Sequence, residues 1–250
     1  MMKKIIALVF TFLLVCPVAF ADSTASVDLV VKKVQQNQDR INDMYAETTT
    51  LISSNLALPG SEKNEPQKMT QKGKVWTKGK EKSKVEMLSP VKQVTITNGD
   101  KMMVVNPETG QKVVQDLKKL REQSGMPGSS QQMDLEKAKQ YFDFTVANKG
   151  VPGKAIYVIS GTPRKENKFL SRMELYIDGE RWIATRIMMY GSKGELVSQS
   201  DIDYAMISGV WIPKKNVSFV STPAGRMDVE MDFDNIKVNR GISDSVFKVE

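Results

Sequence analysis

The sequence predicts a mainly β protein in which around a dozen strands form one curved antiparallel sheet, accompanied by one N-terminal helix and a short helical insert. Three observations predict it. A single amphipathic segment precedes the strands. After it the hydrophobic period changes from helical to two. The period-two segments are then separated by short turns of Asn, Asp, Gly and Ser, which favour antiparallel neighbours.

The first residues belong to a different kind of segment. Met1-Met2-Lys3-Lys4 is basic, residues 5–15 are apolar except for Thr11, and Ala19-Phe20-Ala21 is a small-x-small site before Asp22. This is the order of a cleavable secretory signal, with an apolar core too short to span a bilayer. Residues 1–21 are therefore expected to direct export to the periplasm, and residues 22–250 to form a single soluble domain. Lipidation at Cys16 is the weaker alternative, because Val15 is bulky and Pro17 follows directly. A retained membrane anchor is the other.

Ser23 or Thr24 can cap the helix. Val27, Val30, Val31, Val34 and Ile41 fall at helical spacing, with Lys32, Lys33, Gln36 and Asp39 opposite, which predicts about four to five turns ending near residues 42–45. Strands are expected over residues 45–58, 67–78, 83–88, 91–97, 101–105 and 111–115, with a polar loop from Leu58-Pro59-Gly60 to Pro66. Asn98-Gly99 marks a tight hairpin, since both residues tolerate positive φ. Residues 116–139 differ: Leu117, Leu120, a Gly/Pro/Ser break, then Met133, Leu135 and Ala138 predict two short helices covering one face of the sheet. Strands then recur over residues 142–147, 155–160, 170–177, 182–190, 196–206, 210–220 and 227–238 as a continuing meander, and residues 242–247 dock back onto it.

Composition removes whole classes of chemistry. The chain has no histidine, and its one cysteine, Cys16, leaves with the signal. A Ser-His-Asp triad, a thiol nucleophile and the common zinc sites are excluded, and no cofactor or metal is expected. Asp201 and Asp203, and the row Asp228, Glu230, Asp232 and Asp234, are the candidates for acid–base work or calcium binding. They alternate with apolar residues, which the solvent side of a half-buried strand explains, so the chain is not expected to be an enzyme. The net charge is +7, with Lys72, Lys74, Lys78, Lys80, Lys82 and Lys84 alternating along one hairpin. These lysines suit a protected edge strand, or docking to acidic headgroups, better than nucleic acid.

The apolar face is rich in methionine: the chain has fifteen, of which only Met1 and Met2 lie in the signal. Met173, Leu175 and Ile177, and Met227, Val229, Met231 and Phe233, alternate with polar neighbours. Methionine suits surfaces that fit variable apolar ligands, and it also fills cores. One helix and a short insert cannot readily cover the apolar face of a dozen strands, so either a second layer exists or part of that face lines a cavity. Trp76, Trp182 and Trp211 are read as core residues, with ligand contact as the alternative for each.

Several segments resemble the LolA/LolB-type lipoprotein-carrier superfamily. They are Gly73-Lys74-Val75-Trp76-Thr77-Lys78 running into Val85-Glu86-Met87-Leu88-Ser89-Pro90, the hairpin Val94-Thr95-Ile96-Thr97-Asn98-Gly99-Asp100-Lys101-Met102-Met103-Val104-Val105-Asn106-Pro107, and the closing Ile242-Ser243-Asp244-Ser245-Val246-Phe247. The resemblance extends in layout over nearly all the exported chain. It implies a half-open antiparallel β-barrel of about 11 to 13 strands wrapping a helical lid, with a concave cavity for acyl chains. The expected lining is Met87, Ile96, Met103, Met173, Leu175 and Ile187, with Met189, Tyr204, Met206, Trp211, Phe219 and Met231; the expected lid is Leu117, Leu120, Met133 and Leu135. The family's Arg-Pro after the tryptophan strand is Gly79-Lys80 here, so no functional arginine is carried over. The function implied is periplasmic binding and transport of lipoprotein acyl chains or other lipids by a monomer, in outer-membrane lipoprotein sorting. The alternative is a sensor on the same scaffold that binds lipid or lipoprotein and signals to a partner in the inner or outer membrane.

Overall fold

The computed structural model describes residues 25–55, 67–119, 135–149 and 155–249. The signal, most of the loop after β1, and the lid positions Leu120 and Met133 lie outside the described residues.

Helix α1 (Val27–Gln38) begins where the Ser26 hydroxyl accepts the Leu29 N–H at 3.2 Å. The cap is thus Ser26 rather than Ser23 or Thr24, and the helix stops short of the expected 42–45. The reason lies just after it: the Asn42 N–H bonds the Asn239 side chain at 2.8 Å, which commits the chain to the sheet. Val30, Val31 and Val34 form the buried stripe, while Ile41 leaves the helix and packs with Met44, Val210, Ile212 and Val238.

Thirteen antiparallel strands follow among the described residues: β1 (Asp43–Ser54), β2 (Gln67–Lys78), β3 (Lys82–Ser89), β4 (Gln93–Asn98), β5 (Lys101–Val105), β6 (Lys112–Asp116), β7 (Phe142–Asn148), β8 (Ile156–Pro163), β9 (Arg172–Asp178), β10 (Ile183–Tyr190), β11 (Leu196–Ile207), β12 (Val210–Thr222) and β13 (Gly225–Val238). A four-residue helix α2 (Leu135–Ala138) precedes β7, and a 3-10 turn (Asp244–Phe247) follows β13. The order across the sheet is β6-β5-β4-β3-β2-β1-β13-β12-β11-β10-β9-β8-β7. The sheet is mostly of hairpins and is not closed into a barrel.

This order corrects the simple meander. The first and last strands pair with each other, and β6 and β7, consecutive in sequence, are the two outer edges. Every other pair of consecutive strands is hydrogen-bonded side by side, whereas residues 117–141 separate β6 from β7 in the sequence. It also corrects the lysine hairpin: β2 and β3 are interior strands, not an edge.

The sheet curls enough to bring distant strands to the helices. Lys80 in the β2–β3 turn pairs with Asp39 at the end of α1 at 3.0 Å, and Lys137 of α2 pairs with Glu81 at 3.4 Å. The largest core cluster lies between α1, α2 and strands β7–β10, where Val30, Val31, Leu135, Phe142, Ile159, Met173, Leu175 and Ile177 are buried. A second cluster forms on β4 and β5 where Phe247 seats against Ile96 and Met103.

Asp43 secures the start of the sheet. It is 4% exposed, and its carboxylate accepts the N–H groups of Arg240 at 2.8 Å and Gly241 at 2.9 Å. Removing it leaves two backbone donors without a partner in a low-dielectric setting. Asp43→Ala should lower unfolding free energy by about 3 kcal/mol in urea titration. A loss below about 1 kcal/mol would mean those donors find other partners.

An apolar strip on the helix-bearing face

Cross-strand registers trace which side chains share a face. Leu175 lies opposite Ile187, Ile187 opposite Ser200, Ser200 opposite Ser218, Ser218 opposite Val229, Val229 opposite Ile52, and Ile52 opposite Met69. This row crosses β9 to β2 in unbroken alternation and has three parts. Leu175 is buried beneath α1. Ser200 and Ser218 are half-buried hydroxyls in the middle, and Ser200 shares a hydrogen bond with Asn216 at 2.6 Å. Val229, Ile52 and Met69 form an apolar strip on which neither α1 nor α2 packs among the described residues.

Neighbouring rows widen the strip. Met231 lies opposite Thr50, and Phe233 opposite Thr48; Thr48 lies opposite Gly73, which faces Met87. Gly73 is required there, since a Cβ would come within 2.8 Å of the Glu86 carbonyl oxygen. Met227, Val229, Met231, Phe233, Ile52 and Met87 are half-buried on this face, while Thr50, Ala46 and Val75 beside them are buried. Their partners on the opposite face, Asp228, Glu230 and Asp232, are engaged by cations: Arg226 holds Asp228 at 2.7 Å, and Lys215 bridges Glu230 and Asp232.

The expected lining residues do not share one wall. Met87 and Met231 stand on the strip. Met173 and Leu175 are core beneath α1, with Leu135 of the expected lid packed beside them. Ile187 and Met189 are half-buried on the same face between these regions. Ile96 and Met103 point the other way: they share a face with Trp76 and Lys84, opposite Val75, and Phe247 covers them. Phe219 is also on the far face, opposite Asp228, with the Arg226 guanidinium 3.9 Å from its ring centre. Met206 and Trp211 pair beside the β11–β12 turn, where Met206 is exposed and Trp211 lies beneath Arg181 at 5.1 Å. Leu117 is buried just after β6, where residues 117–119 are helical. Sequence reading missed Ile52 and Met69. Thr-rich β1 and Lys-rich β2 carry weak alternation, and only the pairing with β13 reveals their company.

Tyr204 belongs to a separate, polar cleft of about 620 Å³ lined by Tyr176, Asp178, Arg181, Arg186, Asp201 and Asp203 among others. Its carboxylates are largely answered. Arg186 holds Asp201 at 2.5 Å and Arg181 holds Asp178 at 2.8 Å. Burial works to raise Asp178, but the N–H groups of Arg181 and Glu180 and the Arg181 guanidinium outweigh it and hold the acid below its ordinary range. The Tyr204 hydroxyl donates to the Ala184 carbonyl at 2.9 Å, and burial pushes its pKa up to about 12 against the opposing charge of Arg181. Because the folded value lies above the unfolded one, this stability is complete below pH 10 and is lost as pH rises from about 10 to 12. Tyr204→Phe should flatten that fall by about 2 to 3 kcal/mol in alkaline denaturation, and an unchanged alkaline profile would contradict it.

A family model described as an uncharacterized protein matches residues 79–250. The chain belongs to that family. Its fold is similar to those of solved LolA superfamily and lipoprotein-sorting proteins. A LolA superfamily protein from Nitrosomonas europaea superposes with a TM-score of 0.60 at 14% identity, covering 90% of this chain and 98% of that one. A DUF1329 family protein from Desulfovibrio piger gives 0.62 at 19% identity, covering 90% and 98%. A domain from Vibrio parahaemolyticus described as outer membrane lipoprotein-sorting gives 0.58 at 12% identity, covering 87% and 95%. No curated protein matches the sequence. Within this LolA fold, the position where the superfamily resemblance placed an arginine is Gly79-Lys80, and Lys80 instead ties the β2–β3 turn to α1 through Asp39.

Proposed function

We propose that this chain is a periplasmic binder and carrier of acyl chains, from lipid or lipoprotein, working in outer-membrane lipoprotein sorting. The observation that carries the reading is the strip of half-buried Val229, Met231, Phe233, Ile52 and Met87, on which neither α1 nor α2 packs among the described residues, beside the hydroxyl row of Ser200 and Ser218. Hydrocarbon on such a strip gains free energy simply by leaving water: at ~25 cal/mol per Å², an acyl chain burying about 200 Å² gains roughly 5 kcal/mol. The serine and asparagine side chains next to it offer donors and acceptors to an ester or amide linkage without demanding a charge. The fold's likeness to a lipoprotein-sorting domain supports the same assignment. We assign the chain no reaction.

Delipidated protein should take up a fluorescent fatty acid and move it between donor and acceptor vesicles. Absence of uptake would reject the proposal. Uptake without transfer would reject the carrier role and favour a sensor that hands its signal to a membrane protein.

A further inference from the structure

Phe169, in the loop between β8 and β9, is 79% exposed. Nothing about it suggests a side chain left out by a slack loop. The Asn167 side-chain oxygen accepts the N–H groups of Phe169 at 2.9 Å and Leu170 at 3.2 Å. Leu170 tucks against the cluster beneath α1. The loop is pinned at both ends, where the Arg164 N–H donates to the Tyr141 carbonyl at 2.8 Å and the Ser171 N–H to the Tyr190 carbonyl at 2.9 Å. Phe169 is therefore held outward by an ordered turn.

Cations flank it in the sequence. The segment Arg164-Lys165-Glu166-Asn167-Lys168-Phe169-Leu170-Ser171-Arg172 carries four basic residues and one acid. Arg164 is committed to Asp143 at 3.0 Å, and Arg172 to Glu174 at 3.5 Å and to the Tyr190 ring at 4.1 Å. Lys165 and Lys168 have no ion-pair partner among the described residues. The β10–β11 turn, tied to this loop by the Ser171 hydroxyl donating to the Gly191 carbonyl, adds Lys193. An aromatic ring on a hydrogen-bonded turn, flanked by lysines without an ion-pair partner among the described residues, matches the two needs of an anionic bilayer surface, hydrocarbon to insert at the headgroup boundary and positive charge for the phosphates.

We infer that the β8–β9 loop docks this protein on anionic phospholipid membranes, with Phe169 inserted and Lys165 and Lys168 on the headgroups. The inference goes beyond acyl binding, because the loop lies outside the strip and works whether or not the strip is filled.

Flotation of the exported chain with vesicles tests it. Wild-type protein should bind vesicles containing phosphatidylglycerol, release them as salt is raised, and ignore pure phosphatidylcholine. Phe169→Ser should weaken binding roughly tenfold, and Phe169→Trp should retain it with a blue-shifted emission on mixing. Each of Lys165→Ser and Lys168→Ser should weaken it roughly fivefold and reduce the salt dependence. These side chains are on a surface loop, so unfolding midpoints and fatty-acid uptake should not change, which separates failure here from failure of the carrier reading. Binding by Phe169→Ser equal to wild type, or equal wild-type binding to neutral and anionic vesicles, would overturn the inference.

Discussion

Phe247→Ala should cost about 3 to 5 kcal/mol of unfolding free energy, among the largest single losses available to this protein. Phe247 is 0% exposed and lies three residues from the end of the chain. It fills the space over Ile96 and Met103, with Trp76, Val94, Val105 and Val246 around it. Two polar ties seat the turn that carries it. Asn98 donates to the Phe247 carbonyl at 3.2 Å, and Asp244 receives Lys78 at 2.9 Å and Lys82 at 3.0 Å. The lysines hold the Asp244 carboxyl below its usual range, but the pair is exposed and adds little by itself. Apolar burial dominates, so Asp244→Asn should change stability far less than Phe247→Ala. Urea denaturation of the two variants checks the ranking. A small loss for Phe247→Ala would mean that the far face of β4 and β5 needs no cover.

Val229→Asp and Met231→Asp should each abolish fatty-acid uptake while leaving the protein folded. Both side chains stand on the strip and are half-buried, so an aspartate there keeps access to water. The folded state should lose about 1 kcal/mol or less. A bound acyl chain, in contrast, would have to cover a carboxylate, and burial of an unpaired charge is strongly unfavourable. Isothermal uptake assays on the two variants, beside Val217→Asp on the opposite face as a control, distinguish this from a general effect of charge. Uptake that survives in Val229→Asp would place the acyl chain elsewhere.

Much of the fold was legible because local signals dictate it. The alternation of Met173, Leu175 and Ile177 and the Asn98-Gly99 turn specify strand, hairpin and buried side with no tertiary information. What escaped depends on partners far away in sequence. Alternation says that Ile96 and Met103 share a face, but only the arrival of Phe247 decides that this face is closed. Parity also fails across irregularities. The β13 strand carries an extra residue near Asn235, whose φ is 48°, so Phe233 and Val238 both face the same way as their β1 partners Thr48 and Met44. The pairing of β1 with β13 places β6 and β7 at the two edges, and no motif in either strand signals it. That pairing creates the strip, because it sets Ile52 beside Val229.

The most direct measurement is photo-crosslinking of the delipidated protein with a diazirine fatty acid, followed by peptide mapping. Adducts should concentrate on peptides carrying Ile52, Met69, Met87 and residues 227–233. Adducts confined to the polar cleft or to the opposite face around Phe219, or none above an unfolded control, would contradict the account.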